Sequence, residues 1–354
     1  MATNRTGSPR GVAMPAEWEP HEATWIAWPH AAGDWPGRFG PIPWAFADLV
    51  KKVAAGETVR LLVNDAAHEA GARRHLLRQG ADLGRVDFRR IPTDRSWMRD
   101  SGPIFVRDGS GRAVAGFRFD AWSKYPDWRR DARVPERAAS GLGLPLLPVR
   151  RGGREVVLEG GAIDVNGAGA ILATEECLLH PTVQVRNPGF GRSDYEAIFR
   201  EVLGAPCTIW LGRGIAGDDT HGHVDDLARF VSASTIVLAR EDDPSDPNHA
   251  ALSENRERLA SARLADGSRP EVVDLPMPRP VAFCGQRLPA SYANFYVAGA
   301  AVLVPTFNDP ADREALGILG ELFRDRPVVG VHALDLVWGL GTLHCLTQQE
   351  PSAA

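Results

Sequence analysis

The sequence repeats one pattern of secondary structure four times, and this repeat restricts the possible folds more than any single motif. Each unit reads as a β-hairpin, then a segment with the apolar spacing of a helix, then one short strand. The hairpins begin near residues 103, 162, 227 and 292, a period of roughly 60–65 residues. Such a period is typical of folds in which each unit buries its apolar face against its neighbours.

The parts of each unit follow in a regular order. The predicted hairpins are Pro103–Val106 with Ala113–Phe119, Ala162–Val165 with Gly169–Ala173, Leu227–Val231 with Thr235–Ala239, and Tyr292–Val297 with Ala301–Pro305. The helices that follow them are predicted at Asp131–Ser140, Asp194–Val202, Ala250–Arg263 and Ala311–Phe323. The returning strands are predicted at Leu144–Val149, Thr208–Leu211, Glu271–Leu275 and Val328–Val331.

The two ends of the chain supply the parts of a fifth unit. Glu22–Trp28 reads as a Trp-rich strand, and helical spacing follows at Trp44–Ala55 and Ala66–Arg78. We predict that Glu22–Trp28 pairs with Thr342–Thr347, because this pairing closes the ring and leaves no open unit. The predicted fold is therefore α/β, a five-bladed α/β propeller of pseudo-equivalent ββαβ units closed by the two chain ends.

Length and composition limit the class of protein. A chain of 354 residues with 44% hydrophobic residues can bury a sizeable core. The net charge of -5, with both signs mixed, gives no reason to expect a nucleic acid or an anionic membrane as partner. No apolar run approaches the ~18 residues of a membrane span. We expect a flexible tail at residues 1–12, without the apolar core of a signal peptide, and a single domain at 13–354.

The cysteines indicate a compartment. Cys177, Cys207, Cys284 and Cys345 lie far apart and include no Cys-x-x-Cys pair. This spacing suits neither a disulfide framework nor a zinc cluster, so we expect a reducing, cytoplasmic compartment. A homo-oligomer is compatible with the sequence, which does not specify an oligomeric state.

The densest group of ionisable residues is Gly217–Asp226, with the sequence GDDTHGHVDD. So many titratable groups directly before an apolar run would be costly unless they are paired or used. Either His221 and His223 hold a divalent metal with the flanking carboxylates, or one imidazole is an acid–base and a carboxylate holds a cationic substrate. The simplest alternative is a solvated polar turn.

The repeat places one polar group at the entrance of each hairpin. These groups are Asp100, Glu159, His223 with Asp225, Asn294, and Cys345. If the units are pseudo-equivalent, the five entrances converge at one end of the central axis, where symmetric folds commonly build concave sites. Only one entrance brings an imidazole, so convergence favours a nucleophile over a metal centre.

Cys345 is the candidate nucleophile. A lone cysteine is more often a buried structural thiol, but the position of Cys345 in the repeat and the following Gln348-Gln349 favour a role at the axis. Neighbouring side chains of a strand point to opposite faces, so His344 is the poorer base and His223 the better one. For His221 we expect local hydrogen bonds in a turn.

Three carboxylates facing one thiol indicate a cationic substrate. A guanidinium is the natural partner of Asp100, Glu159 and Asp225, because carboxylates grip its planar fork bidentately. Trp97 can face such a delocalised cation, with Trp28, Trp35 and Trp122 as further candidates, although each tryptophan alone is more often core packing. The remaining acidic residues of the dense stretch, Asp218, Asp219 and Asp226, either read the substrate or cap backbone groups of the turn.

Six motifs in order resemble the agmatine deiminase family, which is grouped with the bacterial, Porphyromonas-type peptidylarginine deiminases. They are Met14–His21, Trp97–Pro103, Leu158–Gly161, Gly222–Asp225, Ala290–Tyr296 and His344–Gln349. The resemblance covers about residues 12–351, and so many ordered motifs make it specific. It implies the pentein fold, a five-bladed α/β propeller, as a single catalytic domain.

The resemblance also implies an activity, the hydrolysis of a guanidino group to a ureido group and ammonia without cofactor or metal. Carried over motif by motif, Cys345 is the nucleophile and His223 the general acid–base. Asp100 and Asp225 hold the guanidinium nitrogens, and Glu159 supports His223 and the substrate. Trp97 and Asn294 complete the expected substrate pocket.

One departure concerns the far end of the substrate. Plant-type agmatine deiminases read Asp-Glu-Asp-Thr-Asn-Gly-His, whereas this chain has Gly217–His223 with one acidic residue fewer and His221 in the Asn position. Agmatine, whose far end is an ammonium, stays the first choice because the loop candidates Asp34-Trp35, Asp218 and Asp219 favour a cation. Arg213, turned inward, would instead accept the carboxylate of arginine.

Other functions remain open from the sequence. The substrate alternatives are free arginine, peptidyl arginine or another guanidino compound. A metal-dependent ureohydrolase built on Asp218–Asp226 is the alternative enzyme class. A non-catalytic guanidine-binding protein has no use for a cysteine at the axis.

Overall fold

The computed structural model describes residues 11–109 and 111–353 of the chain. Its strands in these residues are β1 His21–Ala27, β2 Thr58–Val63, β3 Val86–Arg90, β4 Ile104–Asp108, β5 Gly111–Gly116, β6 Leu146–Pro148, β7 Arg150–Arg151, β8 Arg154–Glu155, β9 Asp164–Val165, β10 Ala170–Thr174, β11 Cys207–Leu211, β12 Ala228–Phe230, β13 Thr235–Arg240, β14 Glu271–Pro276, β15 Ala282–Phe283, β16 Gln286–Arg287, β17 Tyr296–Val297, β18 Val302–Thr306, β19 Val328–His332 and β20 Gln348–Pro351. The α-helices are α1 Ile42–Ala54, α2 Ala66–Gln79, α3 Met98–Ser101, α4 Val134–Leu142, α5 Glu175–Leu179, α6 Arg192–Val202, α7 Pro247–Ser261 and α8 Ala311–Leu322.

Four sheets share one arrangement, which the repeat in the sequence predicts. Each sheet pairs a hairpin antiparallel and adds the returning strand parallel to the second hairpin strand: β4-β5-β6, β9-β10-β11, β12-β13-β14 and β17-β18-β19. A parallel pair needs a crossover, and α4, α6, α7 and α8 lie in these connections. The α/β class and the order of elements within each unit are therefore confirmed.

The fifth sheet joins the two ends of the chain in the order β20-β1-β2-β3. β20 runs antiparallel to β1, with Trp25 opposite Gln348. The predicted partner of β1, Thr342–Thr347, was therefore wrong by several residues, since this segment is a buried turn with a hydrogen bond from the Thr347 N–H to the His344 carbonyl. This turn directs Cys345 toward the cavity described below. A paired strand in the same place would not follow this path.

Several elements differ from the prediction. β17 is only two residues long, because Tyr292–Phe295 is an irregular buried segment whose Phe295 carbonyl accepts a hydrogen bond from Arg229. Two small hairpins, β7-β8 and β15-β16, were not predicted. Their strands have two residues each, too few for a periodic pattern.

Charged side chains lie between the units and are paired. Arg229 is fully buried, and its guanidinium reaches Glu17 at 3.0 Å and Asp164 at 2.7 Å. Glu17 also pairs with Arg99 at 3.0 Å. Each of these four buried ions thus has a partner of opposite charge, which offsets the cost of its burial. These links tie the segment before β1 to α3, β9 and β12.

The largest apolar cluster positions the site. It packs α1 and α2 on the sheet of β1, β2 and β3, and it extends to Trp97 and Cys345. None of the helices in the described part of the chain has a stretch long and hydrophobic enough to span a bilayer. The tail predicted at 1–12 falls, except for Gly11 and the buried Val12, outside the described residues. A single domain at 13–354 stays a prediction.

Candidate active site

A cavity of about 390 Å³ opens next to the polar hairpin entrances. Trp97, Asp100, Trp122 and Cys345 are among the residues that line it. Asp100 lies on the short helix α3, directly before β4, and Cys345 lies on the turn before β20. The cavity therefore joins groups from opposite ends of the sequence.

Buried titratable groups continue inward from Asp100. His223 Nδ1 lies 3.7 Å from Asp100 Oδ1 and 4.0 Å from Asp225 Oδ1, and His223 Nε2 lies 3.9 Å from Glu159 Oε2. On the other side, Cys345 Sγ lies 3.8 Å from Asp225 Oδ2. The structure thus brings together the five residues that the sequence suggested for catalysis.

Two glycines make this close approach possible. A Cβ at Gly161 would lie 2.5 Å from His223 Nδ1 and 2.8 Å from Asp100 Oδ1. A Cβ at Gly341 would lie 2.7 Å from the Trp97 ring and 3.2 Å from Cys345 Sγ. Contacts this short exclude any side chain at either position, so both glycines are needed for the arrangement of the site.

His223 is held as an imidazolium. Burial alone would lower the pKa of His223, but the Asp100 carboxylate, followed by contacts with Cys177 and Glu159, raises that pKa well above its usual value. The ring faces carboxylates on both sides, which favour its charged form. At neutral pH His223 can therefore donate a proton.

Glu159 stays ionised because of a buried arginine. Burial would raise its pKa, but Arg186 and His223 lower the pKa of Glu159 to about 2. Arg186 Nε donates to Glu159 Oε1 at 3.1 Å, and both side chains are fully buried. Arg186 is also anchored by the carbonyls of Gln184 and Thr220. Glu159 is thus a fixed negative charge beside His223 Nε2.

The Asp100 carboxylate is held in place by hydrogen bonds from a neighbouring tryptophan and a glycine amide. Trp122 Nε1 donates to Asp100 Oδ2 at 2.9 Å, and the Gly161 N–H donates to Oδ1 at 3.1 Å. Trp122 lies in a run of three left-handed residues with Ala121 and Ser123 (φ 54°, 59° and 51°), a strained backbone that fixes the ring. Burial, with repulsion from the nearby carboxylates, raises the pKa of Asp100 to about 6.

Cys345 is a thiol in the absence of a bound cation. Burial, then the charges of Asp225, Asp226 and Asp100, raise the pKa of Cys345 well above its usual value. Asn294 Nδ2 lies 3.1 Å from Cys345 Sγ and opposes this shift. The Asn294 side chain also accepts from the Thr342 hydroxyl at 2.7 Å, so this residue, predicted to touch substrate, holds the turn of Cys345 in place.

The adjacent residues Asp225 and Asp226 differ in charge. Burial would raise the pKa of Asp225, but hydrogen bonding and attraction to His344 lower it. For Asp226, burial and the charge of Asp225 raise the pKa well above its usual value. Asp225 is therefore a carboxylate and Asp226 a neutral acid at neutral pH. Asp225 Oδ1 has no hydrogen-bond partner among the described residues and is free to accept from a ligand.

The outer part of the cavity carries more acidic than basic groups. Asp34, Asp127 and Asp219 line it together with Arg95. Arg95 bridges Asp34 at 2.5 Å and Asp127 at 2.9 Å. Asp219 accepts from the Tyr125 hydroxyl at 2.7 Å and from Lys124 at 2.5 Å. Counting Lys124, three carboxylates face two cations, so the outer cavity has a net negative charge.

The predicted residues of the dense stretch separate into different roles. Asp218 caps the turn, since its carboxylate accepts from the backbone N–H groups of Thr220, Gly222 and His223. His221 lies 3.8 Å from Glu176 and adopts a left-handed backbone, away from the reactive groups. Arg213 is not among the described residues that line the cavity.

The other aromatic candidates also separate. Trp35 is buried against Trp97, with ring centroids 5.3 Å apart. Trp28 packs on Phe46 in the apolar core. Trp97 and Trp122 line the cavity itself.

Sequence reasoning missed Arg186, Cys177 and Arg95. Each acts on a residue far away in the chain, as Arg186 does on Glu159 across 27 positions. No spacing or local motif signals such a pair.

Comparison with known proteins places this site in a family. Residues 13–351 match the family described as Porphyromonas-type peptidyl-arginine deiminase. The agmatine deiminase of Stutzerimonas stutzeri is 37% identical over 379 residues and that of Pseudomonas aeruginosa 34% over 381, with 99% of each chain covered.

Solved structures agree with the sequence relatives. The agmatine deiminase of Enterococcus faecalis superimposes with a TM-score of 0.88 at 29% identity, covering 97% of this chain and 96% of that one. A substrate-bound variant of the C. jejuni agmatine deiminase gives a TM-score of 0.85 at 27% identity, covering 96% of both chains.

Fold, site and relatives together define a deiminase, a hydrolase that acts on the C–N bonds of guanidino groups. More particularly, the chain belongs to the Porphyromonas-type peptidyl-arginine deiminase family. The resemblance seen in the sequence motifs is confirmed.

Proposed function

We propose that the chain hydrolyses agmatine to N-carbamoylputrescine and ammonia, with Cys345 as nucleophile and without a cofactor. One observation carries the proposal: a cavity with acidic and aromatic walls leads to a buried thiol flanked by Asp100 and Asp225. The cavity suits a slender cation whose guanidinium enters first. Relatives named agmatine deiminase, matched over nearly their whole length, support this substrate.

Binding of the guanidinium prepares the nucleophile. Asp100 and the free Oδ1 of Asp225 accept its N–H groups, while Trp97 and Trp122 border it. The positive charge then offsets the carboxylates that disfavour a thiolate at Cys345, so the thiol releases its proton to solvent as the substrate binds. Activation of the thiol thus depends on the substrate, which limits reactivity toward other electrophiles.

The first chemical step releases ammonia. Cys345 thiolate attacks the guanidinium carbon and forms a C–S bond, which gives a neutral tetrahedral adduct. The His223 imidazolium donates a proton to one amino group, and the C–N bond breaks to release NH₃. A cationic thiouronium on Cys345 and a neutral imidazole remain.

The second step consumes water. Neutral His223 takes a proton from water as its oxygen attacks the thiouronium carbon, and the C–S bond then breaks to return Cys345 thiolate. The protonated urea releases its extra proton, which ammonia takes up in solution. Glu159 stabilises the charged imidazole in both steps, because its carboxylate lies 3.9 Å from Nε2.

The outer cavity favours agmatine over arginine. The ammonium of agmatine, four methylenes from its guanidinium, would meet the net negative charge of Asp34, Asp127 and Asp219. Arginine would bring a carboxylate to the same place, where Arg95 is already paired with Asp34 and Asp127. Repulsion and desolvation of that carboxylate are expected to cost roughly a hundredfold in kcat/KM.

The test is ammonia release with agmatine, free arginine and an arginine peptide under identical conditions. We expect kcat/KM for agmatine to exceed the other two by at least about a hundredfold. Equal or faster turnover of arginine, or of the peptide, would contradict the substrate assignment. Asp219→Asn and Asp34→Asn should lower the ratio of kcat/KM for agmatine to that for arginine. Asp242→Asn, at an exposed aspartate, should leave this ratio unchanged.

The same proposal includes the arrangement of the sheets. We infer that the five sheets are blades around a pseudo-fivefold axis, closed by β1 and β20, with the site at one end of that axis. The similar strand order of the four internal sheets and the pairing of the chain ends support it. A cytoplasmic location and a homo-oligomer stay predictions from the sequence.

A further inference from the structure

Cys177 brings a second thiol to the acid–base side of the site. It lies on α5, is buried, and has no part in the steps above. Potential metal-ligating atoms of Glu159, Cys177 and His223 all lie within 4.8 Å of one another. Three residues from three different segments thus surround one small volume.

Two of these groups have unsatisfied polar atoms. Glu159 Oε2 and His223 Nε2 are buried and have no hydrogen-bond partner among the described residues, and they lie 3.9 Å apart. A tetrahedral ion with donors at ~2.0–2.1 Å holds two of them roughly 3.3 Å apart, so the 3.9 Å gap is longer than a hydrogen bond and a small shift of the two side chains brings both atoms onto one ion. Buried polar atoms without partners are rare and usually mark a ligand or water position.

We propose that Glu159, Cys177 and His223 form an inhibitory site for a single Zn²⁺ ion. The donors are one carboxylate oxygen, one thiolate sulfur and one imidazole nitrogen, a set that suits zinc and leaves a fourth position for water. The thiolate and the carboxylate bring two negative charges to the ion, and the Asp100 carboxylate, 3.7 Å from the His223 ring, adds a third that offsets the nearby Arg186 cation. Arg186 keeps its own bond to Glu159 Oε1, so the carboxylate stays oriented with Oε2 toward the gap.

Zinc at this position would stop the acid–base cycle. Binding releases one proton from the Cys177 thiol and one from the His223 imidazolium, because both ligands must be deprotonated. A metal-bound imidazole keeps a single N–H and can no longer alternate between base and imidazolium. This consequence rests on the proposed role of His223, whereas metal binding itself does not. The site differs from a cofactor site, since removing the ion restores activity.

A second possible metal site includes the proposed nucleophile Cys345. Atoms of Asp225, Asp226 and Cys345 also lie within 4.8 Å of one another. Asp226 Oδ1 already accepts a hydrogen bond from Asn294 at 2.9 Å, and Cys345 Sγ lies 3.1 Å from the same amide, whereas Glu159 Oε2 and His223 Nε2 have no hydrogen-bond partner among the described residues. We therefore assign the ion to Cys177, and the experiment separates the two positions.

The first test measures binding without catalysis. The Cys345→Ala variant removes the rival thiol, and Co²⁺ is the probe because thiolate coordination gives it a near-ultraviolet charge-transfer band. We expect this band, and competition by Zn²⁺, in Cys345→Ala and also in Cys345→Ala with Cys284→Ser, which removes an exposed thiol. Adding Cys177→Ser or Cys177→Ala should abolish the band and weaken Zn²⁺ binding in equilibrium dialysis by at least about a hundredfold.

The second test measures inhibition on the otherwise unchanged chain with whichever guanidino substrate it turns over. In buffered Zn²⁺, the concentration for half-inhibition should rise at least about tenfold in Cys177→Ser relative to Cys284→Ser, and a chelator should restore full activity. A Co²⁺ band that survives loss of Cys177, or that requires Cys345, would overturn the site. Absence of Zn²⁺ binding to folded Cys345→Ala would overturn it as well. None of these outcomes depends on agmatine being the substrate.

Discussion

His344 Nδ1 lies 2.7 Å from Asp225 Oδ2, and His344 Nε2 lies 2.8 Å from Glu17 Oε2. Carboxylate oxygens accept hydrogen bonds, so both bonds form only if both ring nitrogens carry hydrogen. The buried His344 ring is therefore held on both sides by a carboxylate. It keeps Asp225 ionised and fixes Oδ2, which leaves Oδ1 free for the substrate. His344, next to the proposed nucleophile, thus holds the carboxylate that we propose binds the guanidinium.

Replacing His344 should weaken that grip. In His344→Gln a neutral amide can donate to only one of the two carboxylates, so Asp225 loses a charge-assisted bond. We expect kcat/KM for the guanidino substrate to fall roughly 10- to 100-fold, with a rise in KM as a large part of the loss. The measurement is steady-state ammonia release, compared with His332→Gln at an exposed histidine. A variant with unchanged KM would show that His344 does not act through Asp225.

The adjacent pair Asp225 and Asp226 offers a matched test of charge. Asp226 is neutral, so Asp226→Asn replaces it with a near-isostere and should keep kcat/KM within about tenfold. Asp225→Asn removes the carboxylate that we propose binds the guanidinium and should lower kcat/KM at least about a thousandfold. Both variants are compared with the unchanged chain in one assay. Similar losses in the two variants would mean that their charge states are assigned wrongly.

The rate should fall on the acid side as Asp100 is protonated. The pKa of Asp100 is about 6, so the carboxyl group becomes protonated as the pH falls below that value. Only the carboxylate form can hold a guanidinium. At pH 5 we therefore expect kcat/KM to be roughly a tenth of its plateau value. Asp34 also lines the cavity with a pKa raised by burial to about 6, so Asp34→Asn is the control. If the acid limb disappears in Asp34→Asn, Asp34 and not Asp100 is the group that titrates.

Stability should also depend on pH through Asp131. This carboxyl is buried, Oδ2 has no partner among the described residues, and burial raises its pKa from 3.8 to about 7. The folded state holds this proton more tightly than the unfolded state does. Protonated Asp131 therefore contributes fully to the free energy of unfolding below pH 4, and this contribution is lost as the pH rises from 4 to 7.

Asp131→Asn removes that titration and keeps an acceptor for the Asp94 N–H. At pH 8 we expect the free energy of unfolding of the variant to exceed that of the unchanged chain by on the order of 1–4 kcal/mol. The variant should therefore unfold at a higher temperature. The difference should shrink toward pH 4. Asp242→Asn, at an exposed aspartate, should show no such trend. A variant that is less stable at pH 8 would refute the raised pKa.

The sequence could predict the units of the fold because the pattern is local. Strand β13 begins at the predicted Thr235, and α2 at Ala66–Gln79 begins where the helical spacing does. The closing pair could not be placed, since β20 has the sequence QQEP and no apolar alternation. Its partners are charged groups, as Glu350 accepts from Trp25 and Arg60. Such contacts carry no periodic signal.

The candidate site also has features that the sequence could predict and features that it could not. Asp100, Glu159, His223, Asp225 and Cys345 occur at equivalent points of the repeat, so their meeting could be inferred from the sequence. Charge states could not be inferred, because Asp225 and Asp226 are neighbours that differ only in the groups facing them. Asp218 and Asn294 also required the structure, which shows that their oxygens hold turns together.

The central claim is a covalent intermediate on Cys345, and rapid quenching followed by mass spectrometry of the Cys345 peptide tests it most directly. With agmatine, the peptide should gain the mass of agmatine less ammonia, and His223→Gln should change how much adduct accumulates. The Cys345→Ala variant should form no adduct and release no ammonia, while a metal chelator leaves the unchanged chain fully active. Turnover by Cys345→Ala, or activity lost to the chelator and restored by Mn²⁺ or Zn²⁺, would contradict the account.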